Sequence, residues 1–412
     1  MQENKNINVA EIVSFCVNLS RQMIVSGANL ERVQLAVNII CRAYNLHDVS
    51  IFLLSTHISL SASDKYGNYA SRQASIPPAG INLERLKSLN QLSYKVAEIT
   101  PATKVLAQML ERACSVQSYS DIIILLGRIL AMSCLCFMFG GGFLDLIPVT
   151  GVTVLMHYMM AISERTGLDR IVINILTMFI AASFATLFMY ADLGNNLAVV
   201  LITVSMIVIP GIPLVNAMRN LLCGQEINGI LQMLKIFVET MALGMGIYLA
   251  LVIFKGYSLL RVPDSFTNPF LLSVLSFIAS TGFAVVFNIP VKDLWLAGLG
   301  GLLTRIALIL LSGSVINRLL FMTLSASVAA LYAEFLAVKR RQPSIYFVYP
   351  SIIPLIPGDL FFYALAGLYM KDIDFVITNG INCLLSLSGL SLGFVLSSTV
   401  SHYVRRIRYK NF

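Results

Sequence analysis

The chain has 412 residues, of which 57% are hydrophobic and only 12% charged, with a formal net charge of +8 and a mean hydropathy of +0.79. So apolar a composition excludes an ordinary soluble enzyme. Seven cysteines without a CxxC pair and four scattered histidines supply no metal-ligand spacing, and the positive charge falls on loops and a tail, requiring no nucleic acid.

Met1 to Val9 is polar and lacks the cationic start and apolar run of a secretory signal, so the first domain is expected to remain in the cytoplasm. Residues 1–120 carry 11 basic and 8 acidic residues and read as a small α+β domain. Ile12, Phe15, Leu19, Met23, Val33, Val37 and Ile40 recur at helical spacing, which predicts two helices broken at Ser26-Gly27-Ala28-Asn29. Residues 49–54, 58–63 and 69–76 read as strands, the last two joined in a hairpin at residues 64–68. Leu83 to Ile99 returns to helical periodicity, and Thr100-Pro101 opens a further helix to Ala113. Ser55, Thr56 and His57 place hydroxyls beside an imidazole, but adjacent strand residues face opposite sides and no GxSxG turn supports a nucleophile.

From Asp121 onward the chain is one apolar stretch after another. A hydrocarbon core of roughly 30 Å needs about 20 helical residues. Ten segments meet that need, at 121–140, 146–162, 171–190, 197–222, 230–254, 269–288, 294–312, 318–337, 345–370 and 376–402. The fold expected is an α-helical polytopic membrane protein behind the N-terminal domain, with a first five-helix repeat over 121–255 and a second, with a basic tail, over 256–412. With the N-terminus inside, the cytoplasmic side collects Arg165, Arg170, Arg219, Lys235, Lys292, Lys339, Arg340, Arg341, Arg405, Arg406, Arg408 and Lys410. The other side holds Lys255, Arg261, Arg318 and Lys371, a distribution that favours both termini in the cytoplasm.

Two of these segments are interrupted in the middle, at Pro210-Gly211 and at Pro357-Gly358, 147 positions apart. The same shift lays the first five segments on the second five. Five is odd, so the repeats are expected to be inverted, as in several secondary transporters. Broken backbone at membrane depth is tolerated only where its freed amides and carbonyls are buried in protein or line a wet cavity, so the interruptions mark a solute pathway. Asn216 and Arg219 follow the first break, and Asp359 sits in the second. An ionised side chain at that depth is a functional hypothesis by default. Asp359 is therefore expected to hold a proton or a substrate amine, or else to cap the second half-helix. Arg305 and Glu239, in the seventh and fifth segments, are candidate opposite charges for coupling or a structural ion pair. His157 reads as a packing residue. No GxxxxGK[ST] sequence is present, so any uphill movement must draw on an ion gradient or a partner, and no cofactor is expected. The seven cysteines read as reduced, packed thiols.

The order of parts resembles the threonine/serine exporter family: an amphipathic start with Ser26-Gly27-Ala28-Asn29-Leu30-Glu31-Arg32, then Ile209-Pro210-Gly211, then Ile356-Pro357-Gly358. In that family the two membrane halves occur fused, as here, or as separate polypeptides. The resemblance implies a bacterial inner-membrane exporter of small polar metabolites driven by the proton motive force. It extends to dicarboxylates, because split relatives are associated with succinate. By motif it carries over Pro210, Gly211, Pro357 and Gly358 only. A passive channel, and a sensor or hydrolase centred on the N-terminal domain, stay open as alternatives, as does assembly into a homo-oligomer.

Overall fold

The computed structural model describes residues 8–77, 80–116, 118–166, 168–209, 211–222, 224–259, 268–314, 317–340 and 342–410. The chain divides into two compact units, Met1–Tyr119 with Phe287–Pro290, and Ser120–Val286 with Val291–Phe412.

In the first unit, α1 (Val9–Val25) and α2 (Leu30–Ala43) precede an antiparallel sheet of β1 (His47–Leu53), β2 (His57–Ser63) and β3 (Tyr69–Ser75), followed by α3 (Leu83–Ile99) and α4 (Thr103–Cys114). Three asparagines start helices: the side chains of Asn8, Asn29 and Asn82 accept from the amides of Ala10, Arg32 and Arg85, filling donors that a first helical turn leaves unpaired. Gly27, at φ 97°, turns the chain between α1 and α2. Ile12, Phe15, Leu19 and Met23 of α1 are buried, as are Ile58, Leu60 and Ala62 of β2, whose alternate residues point inward. Asp64 closes the β2–β3 hairpin by accepting from the amides of Tyr66 and Asn68. Ser55 and Thr56, between the two expected strands, form the turn between β1 and β2, where the Leu54 amide donates to the His57 carbonyl at 2.8 Å.

The loop Phe287–Pro290 belongs to this unit because its polar groups are used here. The Leu83 amide donates to Phe287 O at 2.9 Å, the Tyr119 amide to Asn288 Oδ1 at 2.9 Å and the Tyr119 hydroxyl to Ile289 O at 2.7 Å. Six described cysteines are free thiols, five of them buried, while Cys223 lies outside the described residues, as do residues 1–7.

The second unit is helical. Its elements are α5 (Asp121–Met138), α6 (Leu146–Thr166), α7 (Arg170–Tyr190), α8 (Leu197–Ser205), α9 (Gly211–Leu222), α10 (Glu226–Ile253), α11 (Pro269–Val286), α12 (Val291–Ser314), α13 (Arg318–Arg340), α14 (Ile345–Ile352), α15 (Gly358–Met370) and α16 (Ile373–Lys410). Among the described residues, seven helices are long and apolar enough to cross a membrane: α5, α7, α10, α11, α12, α13 and α16. The pair α14 and α15 makes an eighth if taken as one bent span. The other two segments expected from the sequence are α6, whose apolar part Leu146–Ile162 is shorter, and α8 with α9, which lie either side of residue 210. Phe237, Leu310, Phe335 and Ile377 are exposed along these helices, as lipid-facing side chains are. Such a chain is a multi-pass membrane protein.

Element starts recur at a nearly constant offset. α8 begins at Leu197 and α14 at Ile345, 148 positions on; α9 and α15 begin at Gly211 and Gly358, and α10 and α16 at Glu226 and Ile373, each 147 apart. Packing follows the same offset. A methyl group at Gly246 of α10 would meet Ile175 O and Phe179 N of α7, and one at Gly393 of α16 would meet Thr323 O and Ser327 N of α13. Only glycine allows these backbones to approach so closely, the usual way helices associate where no hydrophobic force between them is available.

Candidate functional site

Proline lacks an amide hydrogen and strains the turn before it, so a helix reaching Pro354 and Pro357 cannot continue. α14 gives way to a 3-10 turn at Ile353–Leu355, and Pro357, at φ −79° and ψ 55°, centres an inverse γ-turn closed by Gly358 N to Ile356 O at 2.8 Å. The two arms are bent by 48°. At the first break, α8 ends at Ser205 and α9 starts at Gly211, with Gly211 N on Ile209 O at the same 2.8 Å. Pro210 itself lies outside the described residues.

The two breaks pack against each other. A Cβ at Gly211 would stand 2.7 Å from Ile356 Cγ2, and one at Gly358 would run into the thioether of Met206. Gly211 is thus held to glycine by the other half of the molecule, whereas the Met206 thioether beside Gly358 is the end of a flexible side chain. The Pro357 carbonyl takes a bond from Phe361 N at 3.2 Å and one from Cys383 Sγ at 3.8 Å.

Asp359 lies in the first turn of α15, where its carboxylate accepts from the Leu360 amide. It also lies within electrostatic reach of Arg305 of α12 and Arg318 of α13. The Nε of Arg305 is buried, and no acceptor among the described residues reaches it. Arg318 Nη1 donates to Ser386 Oγ of α16 at 3.4 Å. Tyr363 and Cys383 also lie within electrostatic reach of Asp359. On the arms facing these, Asn216 Nδ2 donates to the hydroxyl of buried Tyr349 at 3.0 Å, and Arg219 stands close enough to Tyr349 to act on it electrostatically.

Residues 14–254 match the ThrE family model of threonine/serine exporters, and residues 272–400 match ThrE_2, described as Threonine/Serine exporter, ThrE. The chain belongs to the threonine/serine exporter family. Its two halves are fused in one polypeptide. No curated protein and no solved structure matches it. The family is one of transporters rather than enzymes, so this exporter works in a lipid bilayer on a small-molecule solute.

Of the residues the sequence nominated in this exporter, the fold brings Gly211, Gly358, Asp359 and Arg305 to the crossed breaks and places Asn216 and Arg219 around Tyr349. Glu239 is elsewhere: its Oε1 lies 3.2 Å from Nε of Arg170, holding α10 to α7. Arg170 is 49% exposed at the side chain, so Glu239→Gln is expected to cost only about 1 kcal/mol of stability. A melting curve and a solute affinity on that variant check the point, and an unchanged affinity is the expected result. His157 Nε2 stands 3.1 Å from Asp121 Oδ1 at the start of α5, in keeping with a packing role. Sequence reasoning missed Tyr349 and Arg318. Tyr349 carried a signal, a phenol one residue before Pro350 inside an apolar half-helix. Arg318, at the start of its helix, read as a surface charge.

Proposed function

We propose that this exporter moves small polar metabolites of the threonine and serine type across the bacterial inner membrane by proton-driven secondary transport, with alternating access around the two broken helices. The observation that carries the reading is the reciprocal contact of the breaks, Gly211 on Ile356 and Gly358 on Met206, with Asp359 and Arg305 beside it. An amino-acid zwitterion needs an anion for its ammonium group and a cation for its carboxylate. Asp359 is the proton or amine site, Arg305 with its spare Nε is the carboxylate partner, and the Pro-Gly backbone with Asn216 and Arg219 forms the cradle. Half-helix termini aimed at a solute are a known transporter device.

Ten spans in two inverted five-helix repeats accommodate this mechanism. Support comes from the 147 to 148 offset of helix starts and from Tyr119, which precedes α5 yet bonds Asn288 and Ile289 of the loop between α11 and α12. Both points then lie on one side of the membrane, which calls for an even number of crossings between them. Six spans meet that condition. The basic loops and tail favour the cytoplasm for that side and for both termini.

Two arginines near one carboxylate also suit a dicarboxylate such as succinate, with a proton on Asp359. Calorimetric binding of threonine, serine and succinate to the purified exporter separates the two. Saturable binding of threonine or serine that weakens about tenfold or more in Arg305→Ala supports the reading; equal affinity in wild type and variant removes Arg305 from it, and binding of succinate alone selects the dicarboxylate.

A further inference from the structure

Two carboxylates outside the solute site are more deeply buried than Asp359. Asp145 and Asp293 are 1% and 0% exposed, and they lie 148 positions apart, the offset that relates α8 to α14. Each joins the second helix of its half to the start of the first arm of the broken span. Asp145 Oδ1 accepts from the amides of Asn195 at 2.6 Å and Asn196 at 3.0 Å, directly before α8, and its Oδ2 accepts from Gly142 N at 2.8 Å. Asp293 Oδ2 accepts from the Tyr346 hydroxyl at 3.2 Å and Gln342 Nε2 at 3.4 Å, at the start of α14.

The two joints are built differently. Asp145 uses both oxygens on three backbone donors, which cannot swing away without moving the chain. Among the described residues, Asp293 uses one oxygen on two side-chain donors at the long end of the hydrogen-bond range. Its Oδ1 and the neighbouring Gln342 Oε1 are buried, and no donor among the described residues reaches them. A buried acceptor left unpaired costs free energy that an opened, hydrated conformation regains. The balance between closed and open is therefore close at Asp293 and one-sided at Asp145.

We infer that Asp293, with Tyr346 and Gln342, is a releasable latch on the first arm of the second broken span, and that Asp145 is its fixed counterpart in the first half. The latch positions α14 rather than touching solute, and in the ten-span reading it closes the cytoplasmic side. The inference rests on the proposed exporter mechanism for its transport consequence only.

Full-length protein in lipid tests it by two readouts. Hydrogen exchange of the α14 amides is expected to quicken about tenfold in Asp293→Ala, with α8 amides unchanged, because the acceptor of both the Tyr346 hydroxyl and Gln342 Nε2 is lost. In efflux assays the same variant is expected to lower turnover and KM together by at least about threefold, since it populates the conformation open to the cytoplasmic solute. A merely structural residue would lower the yield of active protein and leave KM in place. If Asp293→Ala does not fold, Tyr346→Phe, which removes one donor and keeps the carboxylate, is expected to shift both readouts in the same direction. Unchanged α14 exchange in both variants, or equal quickening of α8, overturns the latch. Quickened α14 exchange in the variants, together with a wild-type protein that moves no solute, leaves the latch standing and overturns the exporter mechanism.

Discussion

Asp359→Asn is expected to abolish gradient-driven efflux while the protein remains folded. The carboxylate lies within electrostatic reach of Arg305 and Arg318 and accepts from the Leu360 amide. Asparagine keeps the shape and an oxygen for the Leu360 amide but loses the charge and the capacity to take up a proton. The rate is expected to drop by at least roughly a hundredfold, a loss of about 3 kcal/mol from the transport cycle at 1.4 kcal/mol for each factor of ten. Coupling is lost as well, because the amide does not titrate. Efflux from reconstituted vesicles and a melting curve on the same preparation separate this from misfolding. Normal efflux from Asp359→Asn would remove the residue from the mechanism.

Gly211→Val is the second large effect, and it acts through shape. The first carbon of the new side chain would stand 2.7 Å from Ile356 Cγ2, inside any tolerated carbon contact, so the breaks must separate. Overpacking of this kind costs about 1 to 3 kcal/mol, and efflux is expected to fall at least about tenfold. Gly358 is more forgiving to a small change, because its neighbour is the flexible end of Met206. Trimming the opposing residue supplies the control. Gly211→Val combined with Ile356→Ala is expected to recover most of the lost stability, measured by melting temperature. Absence of rescue would mean that the breaks do not bear on each other.

Much of this was legible in the letters, for identifiable reasons. Proline and glycine encode helix interruption locally, so both breaks could be placed without a fold, and helical spacing with turn residues predicted α1 and α2 around Gly27. Contact between the breaks could not be read, because two segments 147 positions apart meet only through the packing of other helices. The same limit explains Glu239, which was matched with Arg305 as an opposite charge yet pairs with Arg170, its neighbour across α7 and α10. Arg318 was counted by its linear position at a helix end, although the long guanidinium side chain reaches inward to Ser386. Asp145 and Asp293 escaped notice because carboxylates near loops are ordinarily hydrated. Only the backbone amides and the Tyr346 hydroxyl around them mark them as buried joints.

The central claim is that a proton gradient drives a threonine- or serine-type solute across the bilayer through the crossed breaks. Vesicles reconstituted with the exporter, preloaded with labelled threonine, serine or succinate, and given or denied an imposed proton gradient test it most directly. The account predicts saturable movement of at least one solute against its own concentration gradient, present with the proton gradient and lost in Asp359→Asn. Movement that only ever follows the solute's own gradient, with the imposed protons making no difference, would contradict it and leave a passive channel in its place.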